Sequence, residues 1–419
     1  MKFELSGCNC HNKMKKGIFF FIIFLAYISP SFGQGSFFSK NLHHYYELDA
    51  EIRMLHNVIN YQDKTLLFLK LTINDDRTKI EDLVTRYGFL NGYADVITMA
   101  PDTIDLTEFR QHTELNNHYF RFEIANENKG KLLIIKILNK VSGNDFYFDI
   151  PSDPDAKIVN SGIVVKWPEQ PIPFYRNYIL KDEPLGLLNL GSADSTLFVY
   201  RYNTDFKVAD APFSPSSASV IKSIIIDSVF SVKSGESFSI SKSGLYFVQS
   251  DTASANGTAF RIESKPFPKQ GNYDELISSL TYFTTRSELD KLHSAKDKKK
   301  AFDTYWIEIT KSSERARKVI KEYYGRVSLA NHLFTTYKQG WKTDKGMIYI
   351  IFGTPDEVLK DGEREEWIFE RTNQLPRINF TFIKSKSIFT QDHFVLLRKS
   401  SYQQIWYKAI DLWRKGQMQ

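Results

Sequence analysis

The chain has 419 residues, of which 42% are hydrophobic, 25% charged and 15% aromatic. That is the composition of a folded protein of about two to four domains. The formal net charge of +6 falls to +3 when residues 1–33, with four basic residues and one acidic, are set aside; so mild a balance makes no case for a nucleic-acid binder. Both cysteines, Cys8 and Cys10, lie at the extreme N-terminus, which excludes a disulfide, a thiol nucleophile or a thiolate metal site elsewhere.

Met14-Lys-Lys16 is a short positive segment, Gly17 to Ile28 is apolar, and Ser29 to Gly33 is polar with small residues at Ser31 and Gly33. This order predicts a signal peptide over residues 1–33, with translation starting at Met14 and cleavage after about Gly33. The apolar core falls short of the ~20 residues a membrane span needs. The expected product is exported, periplasmic or outer-membrane-associated, with no stable transmembrane span after cleavage. Cys8-Asn-Cys10-His11 cannot close a tetrahedral zinc site without further ligands.

Residues 37–151 alternate apolar and polar in short runs: Tyr45 to Leu55, Leu66 to Ile73, Tyr119 to Ile124, Leu132 to Leu138 and Phe146 to Ile150. Turn signals such as Asn91-Gly92 and Asn126 to Gly130 separate them, a pattern that predicts an immunoglobulin-like β-sandwich. His43-His44 has no partner at metal-ligand spacing and reads as a pair of strand residues. Pro151 to Asp155 is a boundary. Residues 155–265 then predict a second β-sandwich from the runs Lys157 to Trp167, Leu185 to Leu190, Leu197 to Tyr202, Ile221 to Val229, Phe238 to Ile240, Leu245 to Gln249 and Thr258 to Ile262, with a Ser/Pro-rich loop over Pro212 to Ser219.

Residues 270–338 change to helical spacing and form a helical connector. Leu276, Leu280, Phe283, Leu289 and Leu292 recur on one side; Phe302, Tyr305, Trp306 and Ile309 follow at i, i+3, i+4, i+7. The clearest helix spans Ser313 to Tyr337. Its apolar stripe of Ala316, Val319, Ile320, Tyr323, Tyr324, Val327, Ala330, Leu333 and Phe334 is core packing rather than a ligand box. The basic run Lys296 to Lys300 reads as a solvated helix start or loop.

Residues 339–419 make a small α+β domain around Gly340-Trp-Lys-Thr-Asp344. Thr343 to Gly346 reads as a turn, and Met347 to Phe352 as a buried strand closed by Gly353. Thr354, Pro355 and Glu357 then read as the N-cap, first turn and capping box of a helix, broken at Asp361-Gly362. Glu366 to Phe369, Ile378 to Phe382 and His393 to Leu397 are further strands, and Trp406 to Trp413 a closing helix. Every residue of the motif has a structural reason to be there, with Trp341 packed underneath. Two sharper readings stand beside that one. Trp341, Thr343, Asp344 and Asp356 could line a binding groove for a sugar ring or a peptide. Asp344 and Asp356 could act as a carboxylate pair, provided their separation suits glycosidase chemistry.

The G-W-x-T-D run and Gly353-Thr-Pro-Asp-Glu357 resemble the GWxTD domain family of bacterial envelope-type proteins, best represented in Bacteroidetes. Tyr323-Tyr324, Arg326-Val327, Ala330-Asn331, Phe334, Trp367 with Phe369 and Phe380 with Phe382 extend the resemblance over about the last 150 residues. Ile309 to Ser313 departs from the Arg-Asp-Pro-type segment of many members. The resemblance implies an exported cell-envelope protein.

No Gly-rich phosphate loop, H-E-x-x-H or G-x-S-x-G occurs, none of the nine histidines sits beside a nucleophile, and no cofactor or metal is indicated. The sequence thus predicts a multidomain, mainly β protein with an α+β end, acting as a non-enzymatic binding or scaffold module. Its partner would be another envelope protein or a glycan, and its GWxTD domain would dock that partner or serve structure. The alternative is an envelope hydrolase of glycan or peptide using paired carboxylates.

Overall fold

The computed structural model describes residues 35–61, 64–100, 102–152, 162–170, 172–203, 205–215 and 224–418. The signal peptide, the boundary beyond residue 152, the beginnings of the strands expected from Lys157 and Ile221 and the end of the Ser/Pro-rich loop lie outside the described residues. The protein is mainly β, with 33% strand and 27% helix.

The first β unit contains β1 (Ile52–Tyr61), β2 (Lys64–Ile73), β3 (Leu83–Leu90), β4 (Arg110–Glu114), β5 (Asn117–Ile124), β6 (Leu132–Asn139) and β7 (Asp145–Pro151). They form two antiparallel sheets, ordered β1-β2-β5-β4 and β3-β6-β7. This is the strand order of a constant-type immunoglobulin sandwich. Alternation supplies its core: Leu67, Leu69 and Leu71 of one sheet meet Leu133, Ile135 and Ile137 of the other. The opposite face of β2 is also covered, because Leu66 and Phe68 pack with Val164 of the next unit.

The second unit contains β8 (Ile163–Lys166), β9 (Tyr178–Leu180), β10 (Leu185–Asn189), β11 (Thr196–Tyr202), β12 (Ile226–Lys233), β13 (Ser237–Phe238), β14 (Gly244–Gln249) and β15 (Thr258–Glu263). Its sheets are ordered β13-β10-β8 and β12-β11-β14-β15-β9, with β9 parallel to β15. Leu185 and Leu187 face Leu197, Val199, Val248 and Ile262 across its core.

Then come α1 (Tyr273–Ser279), α2 (Arg286–Ser294), α3 (Lys298–Thr310) and α4 (Ser313–Phe334). Asn272, Thr285, Asp297 and Ser312 cap them, each accepting a hydrogen bond from a backbone N–H three residues on. The chain continues through α5 (Asp344–Phe352), the antiparallel sheet β16 (Glu357–Lys360), β17 (Arg364–Phe369), β18 (Ile378–Lys384) and β19 (Phe394–Leu396), and α6 (Tyr402–Arg414). One apolar core joins all of these, from Ile277 through Trp306, Tyr323 and Trp341 to Trp413, and takes in Phe37, Leu42 and Tyr46 from the start of the chain. The helical region and the motif region therefore pack as one body.

Four readings are corrected. Met347 to Phe352 is a helix, not a strand. Every residue from Gly346 to Phe352 is buried, so no polar face marks a helical period, and a short apolar run cannot be assigned by period alone. Gly353, at φ 90°, ends this helix rather than a strand. Thr354, Pro355 and Glu357 start no helix; Glu357 opens β16 by pairing with Ile368. His43 and His44 lie in a short 3-10 turn over His43–Tyr46, not in a strand.

The turn between α4 and α5 is set by two glycines at contact distance. A Cβ on Gly340 would stand 2.0 Å from the Ala330 carbonyl oxygen, and one on Gly346 would stand 2.0 Å from the Gly340 oxygen. Both obstacles are backbone and cannot rotate away. Gly346→Ala is expected to destabilise the protein by about 3 kcal/mol or more, near the upper range for an overpacked core. Gly325→Ala, on α4 with open space around it, is expected to be neutral or slightly stabilising. Chemical unfolding of the two variants checks both.

Candidate functional site

The motif begins at a hub on α4. Asn331 is fully buried; its Oδ1 accepts from the Trp341 backbone N–H at 3.1 Å and its Nδ2 donates to the Pro268 carbonyl at 2.8 Å. Thr335 Oγ1 donates to the Asn331 carbonyl and accepts from Gly340 N–H. These bonds hold residues 340–342 as one 3-10 turn against α4. Trp341 is 3% exposed; its indole N–H donates to Gln339 Oε1 at 2.9 Å, and its carbonyl accepts from Tyr282.

Thr343 is the N-cap of α5, its hydroxyl accepting from Gly346 N–H at 2.9 Å and donating to the Gly340 carbonyl at 2.7 Å. Asp344 follows in the first turn, where a carboxylate is favoured by the helix dipole. It is buried, paired to Arg398 at 2.6 Å, and accepts the Leu396 backbone N–H at 2.9 Å. Arg398 also donates to the Asp210 carbonyl, so Asp344 ties α5 to the end of β19 and, through Arg398, to a loop of the second sandwich.

Asp356 lies apart from these residues. It is exposed, and its carboxylate accepts from Glu370 N–H at 2.7 Å. It shares no partner with Asp344, whose carboxylate is buried against Arg398. Trp341, Thr343 and Asp344 are thus brought together around one buried turn, while Asp356 is not. A surface cleft of about 530 Å³ between α2 and α3, lined by Lys291, Lys300 and Glu308 among others, contains none of the four. Among the described residues, no three His, Cys, Asp or Glu side chains converge as metal ligands would.

Sequence reading missed a buried ionic cluster at Lys345, beside Asp344 in α5. Lys345, the next residue on α5, pairs with Glu365 of β17 at 2.8 Å. Glu365 is 2% exposed and also accepts from the Tyr46 hydroxyl and from the Trp367 indole N–H at 2.6 Å. Next to it, Asp149 of β7 accepts from Tyr45 at 2.8 Å, Tyr93 at 2.7 Å and Lys360 of β16 at 3.3 Å. Here the first sandwich meets the C-terminal sheet. Burial by itself pushes the Glu365 carboxyl up, but Lys345, Lys360 and the hydrogen bonds from Lys345 and Tyr46 outweigh it and hold it down at about 2. Burial pulls the Lys345 ammonium below its ordinary range. No local motif marks these residues; Asp149 and Lys360 are separated by 211 positions.

The fold and this site define a class: a β-rich multidomain protein whose C-terminal α+β body is built on a sealed turn. Residues 244–415 match the GWxTD domain. That match bears out the resemblance read from Gly340 to Asp344. No curated protein matches it. Among solved structures, it is similar to the three N-terminal domains of the bacteriophage RB49 Highly Immunogenic Outer Capsid protein (Hoc). That similarity is at 8% identity and a TM-score of 0.17, covering 51% of this chain and 58% of that one, less than two thirds of its length. A chimeric titin Z1Z2-Z1Z2 tandem functionalized with a GRGDS exogenous peptide from fibronectin is similar at 10% identity and a TM-score of 0.14, covering 50% and 97%. Similarity at that level carries no argument about this chain.

Glu365 sets a pH dependence. Its folded pKa of about 2 lies below the ordinary 4.5, so its stabilising contribution is complete above about pH 4.5 and is lost as pH falls toward 2. The contribution is on the order of 3 kcal/mol. Glu365→Gln is expected to flatten the stability profile over that window. It is also expected to lower stability at neutral pH by about 3 kcal/mol, because Lys345 is left buried without its partner. Urea unfolding between pH 2.5 and 7 measures both effects.

Proposed function

We propose that the protein is an exported, non-enzymatic scaffold of the bacterial cell envelope, in which the GWxTD turn is an internal clamp. The carrying observation is that the polar groups of Trp341, Thr343 and Asp344 are engaged by this chain's own atoms. The turn also reaches both sandwiches. On one side Gln339 donates to Glu263 at 2.9 Å, Arg261 to the Tyr337 carbonyl at 2.8 Å and Ala209 N–H to the Lys342 carbonyl. On the other, Lys345 and Tyr349 contact Tyr46. Binding to an envelope protein or a glycan then belongs to the outer surfaces of the sandwiches, with the clamp fixing how the two are presented. The leader read from residues 1–33 supports export.

Asp344→Asn and Trp341→Ala test this reading. Asp344→Asn leaves the Arg398 guanidinium buried without its charge partner, expected to cost about 3–5 kcal/mol. Trp341→Ala empties a core site, at a similar cost. Both are expected to lower Tm and to open the junctions between the sandwiches and the C-terminal body to protease. In-cell cross-linking of a tagged chain supplies the counter-test. If either variant loses a recurrent captured protein while Tm and protease resistance stay at wild-type values, the motif is a docking surface and the clamp reading fails.

A further inference from the structure

β12 is the outermost strand of the five-stranded sheet, and among the described strands its ladder partner is β11 alone. Its sequence is Ile-Asp-Ser-Val-Phe-Ser-Val-Lys, and it is exposed along nearly all its length. Ile225, just before it, is 81% exposed, Val229 53% and Phe230 36%. Phe230 meets Phe238 of β13, at the edge of the facing sheet, edge-on at 6.3 Å. Two half-covered rings therefore line an open seam between the sheets. A long apolar edge of this kind is a template for another strand.

Two features restrict what can pair there. The ladder to β11 skips Asp227, whose carboxylate is turned to Arg201, so regular backbone begins at Ser228. At the other end the chain turns at Ser234 to Glu236, directly after Lys233. The straight stretch is centred on Phe230 and flanked by one acid and one base at equal distances.

We propose that this edge pairs with the same edge of a second copy of the chain, β12 antiparallel to β12, with Phe230 opposite Phe230. The contact is a two-fold, self-complementary one, and it fuses two five-stranded sheets into one. Ser228 lies opposite Val232 in this register, and Lys233 of each copy arrives beside Asp227 of the other. Asp227 Oδ2 is held by Arg201 and Ser228, leaving Oδ1 for the incoming ammonium. Among the described residues, Lys233 has only an exposed bond to Thr196 to exchange. A slip of one residue parts both charge pairs and turns the apolar side chains to the wrong face. The two phenyl rings close the seam.

The test uses the exported chain, freed of residues 1–33 and so of Cys8 and Cys10. Sedimentation velocity is expected to show a concentration-dependent dimer. Phe230→Glu is expected to weaken it at least tenfold, with circular dichroism and Tm unchanged. Directly opposed residues in an antiparallel pair stand about 4.5–5.5 Å apart at Cα, within disulfide range. Oxidised Phe230→Cys is therefore expected to run as a covalent dimer, while Leu115→Cys, at a hairpin tip and 92% exposed, is not. A chain that stays monomeric at all concentrations, with Phe230→Cys linking no faster than Leu115→Cys, overturns the proposal, whether or not the edge binds a strand of another protein. A dimer unaffected by Phe230→Glu overturns it as well.

Discussion

The close approach of two backbones at Gly340 and Gly346 is the constraint on which the rest of the architecture depends. Neither position has room for a Cβ. With both open, the chain leaving α4 folds back within a few residues and starts α5 against it. Asn331 and Thr335 satisfy the N–H and C=O groups that so tight a turn would otherwise bury unpaired. Trp341 fills the space beneath, and Thr343 converts the end of the turn into the start of a helix.

From that turn α5 projects charges in two directions. Asp344 reaches Arg398 and through it the second sandwich; Lys345, one residue on, reaches Glu365 and Tyr46 where the first sandwich docks. Buried ion pairs are weak evidence of net stability, because desolvation offsets much of the attraction. Here they give direction. Apolar contacts alone would let the sandwiches slide, whereas a charge left buried without its partner penalises every other arrangement. A core that runs unbroken from Phe37 to Trp413 supplies the bulk of the stabilisation.

Legibility in the sequence followed local regularity. β2, β5 and β6 are short runs rich in apolar residues, and their expected ranges fall within a residue or two of the strands observed. The stripe of α4 from Ala316 to Phe334 was equally plain, since one face is wet. β3, β4 and β9 were missed: the first carries a glycine and an arginine that blur its period, the second has no apolar residue, and the third has three residues. The motif itself was read as important but assigned the wrong element. A helix buried on every side displays no period, and Thr343, Asp344 and Gly346 suit a turn as well as an N-cap. Of the candidate groove, burial of Trp341 was anticipated; the burial of Asp344 against Arg398, 54 positions along the chain, was not.

Composition, cysteine placement and short-range pattern by themselves determined the class of the chain: β-rich at the start, helical after residue 270, and organised around Gly340 to Asp344. These are properties of near neighbours, and near neighbours are what a sequence displays. Only the tertiary structure decided that the motif faces inward, that Asp344 belongs to Arg398 and Lys345 to Glu365, and that among the described strands β12 pairs with β11 alone. Each of those depends on groups from distant parts of the chain meeting in a medium where charge must be paired, and no local signal encodes such a meeting.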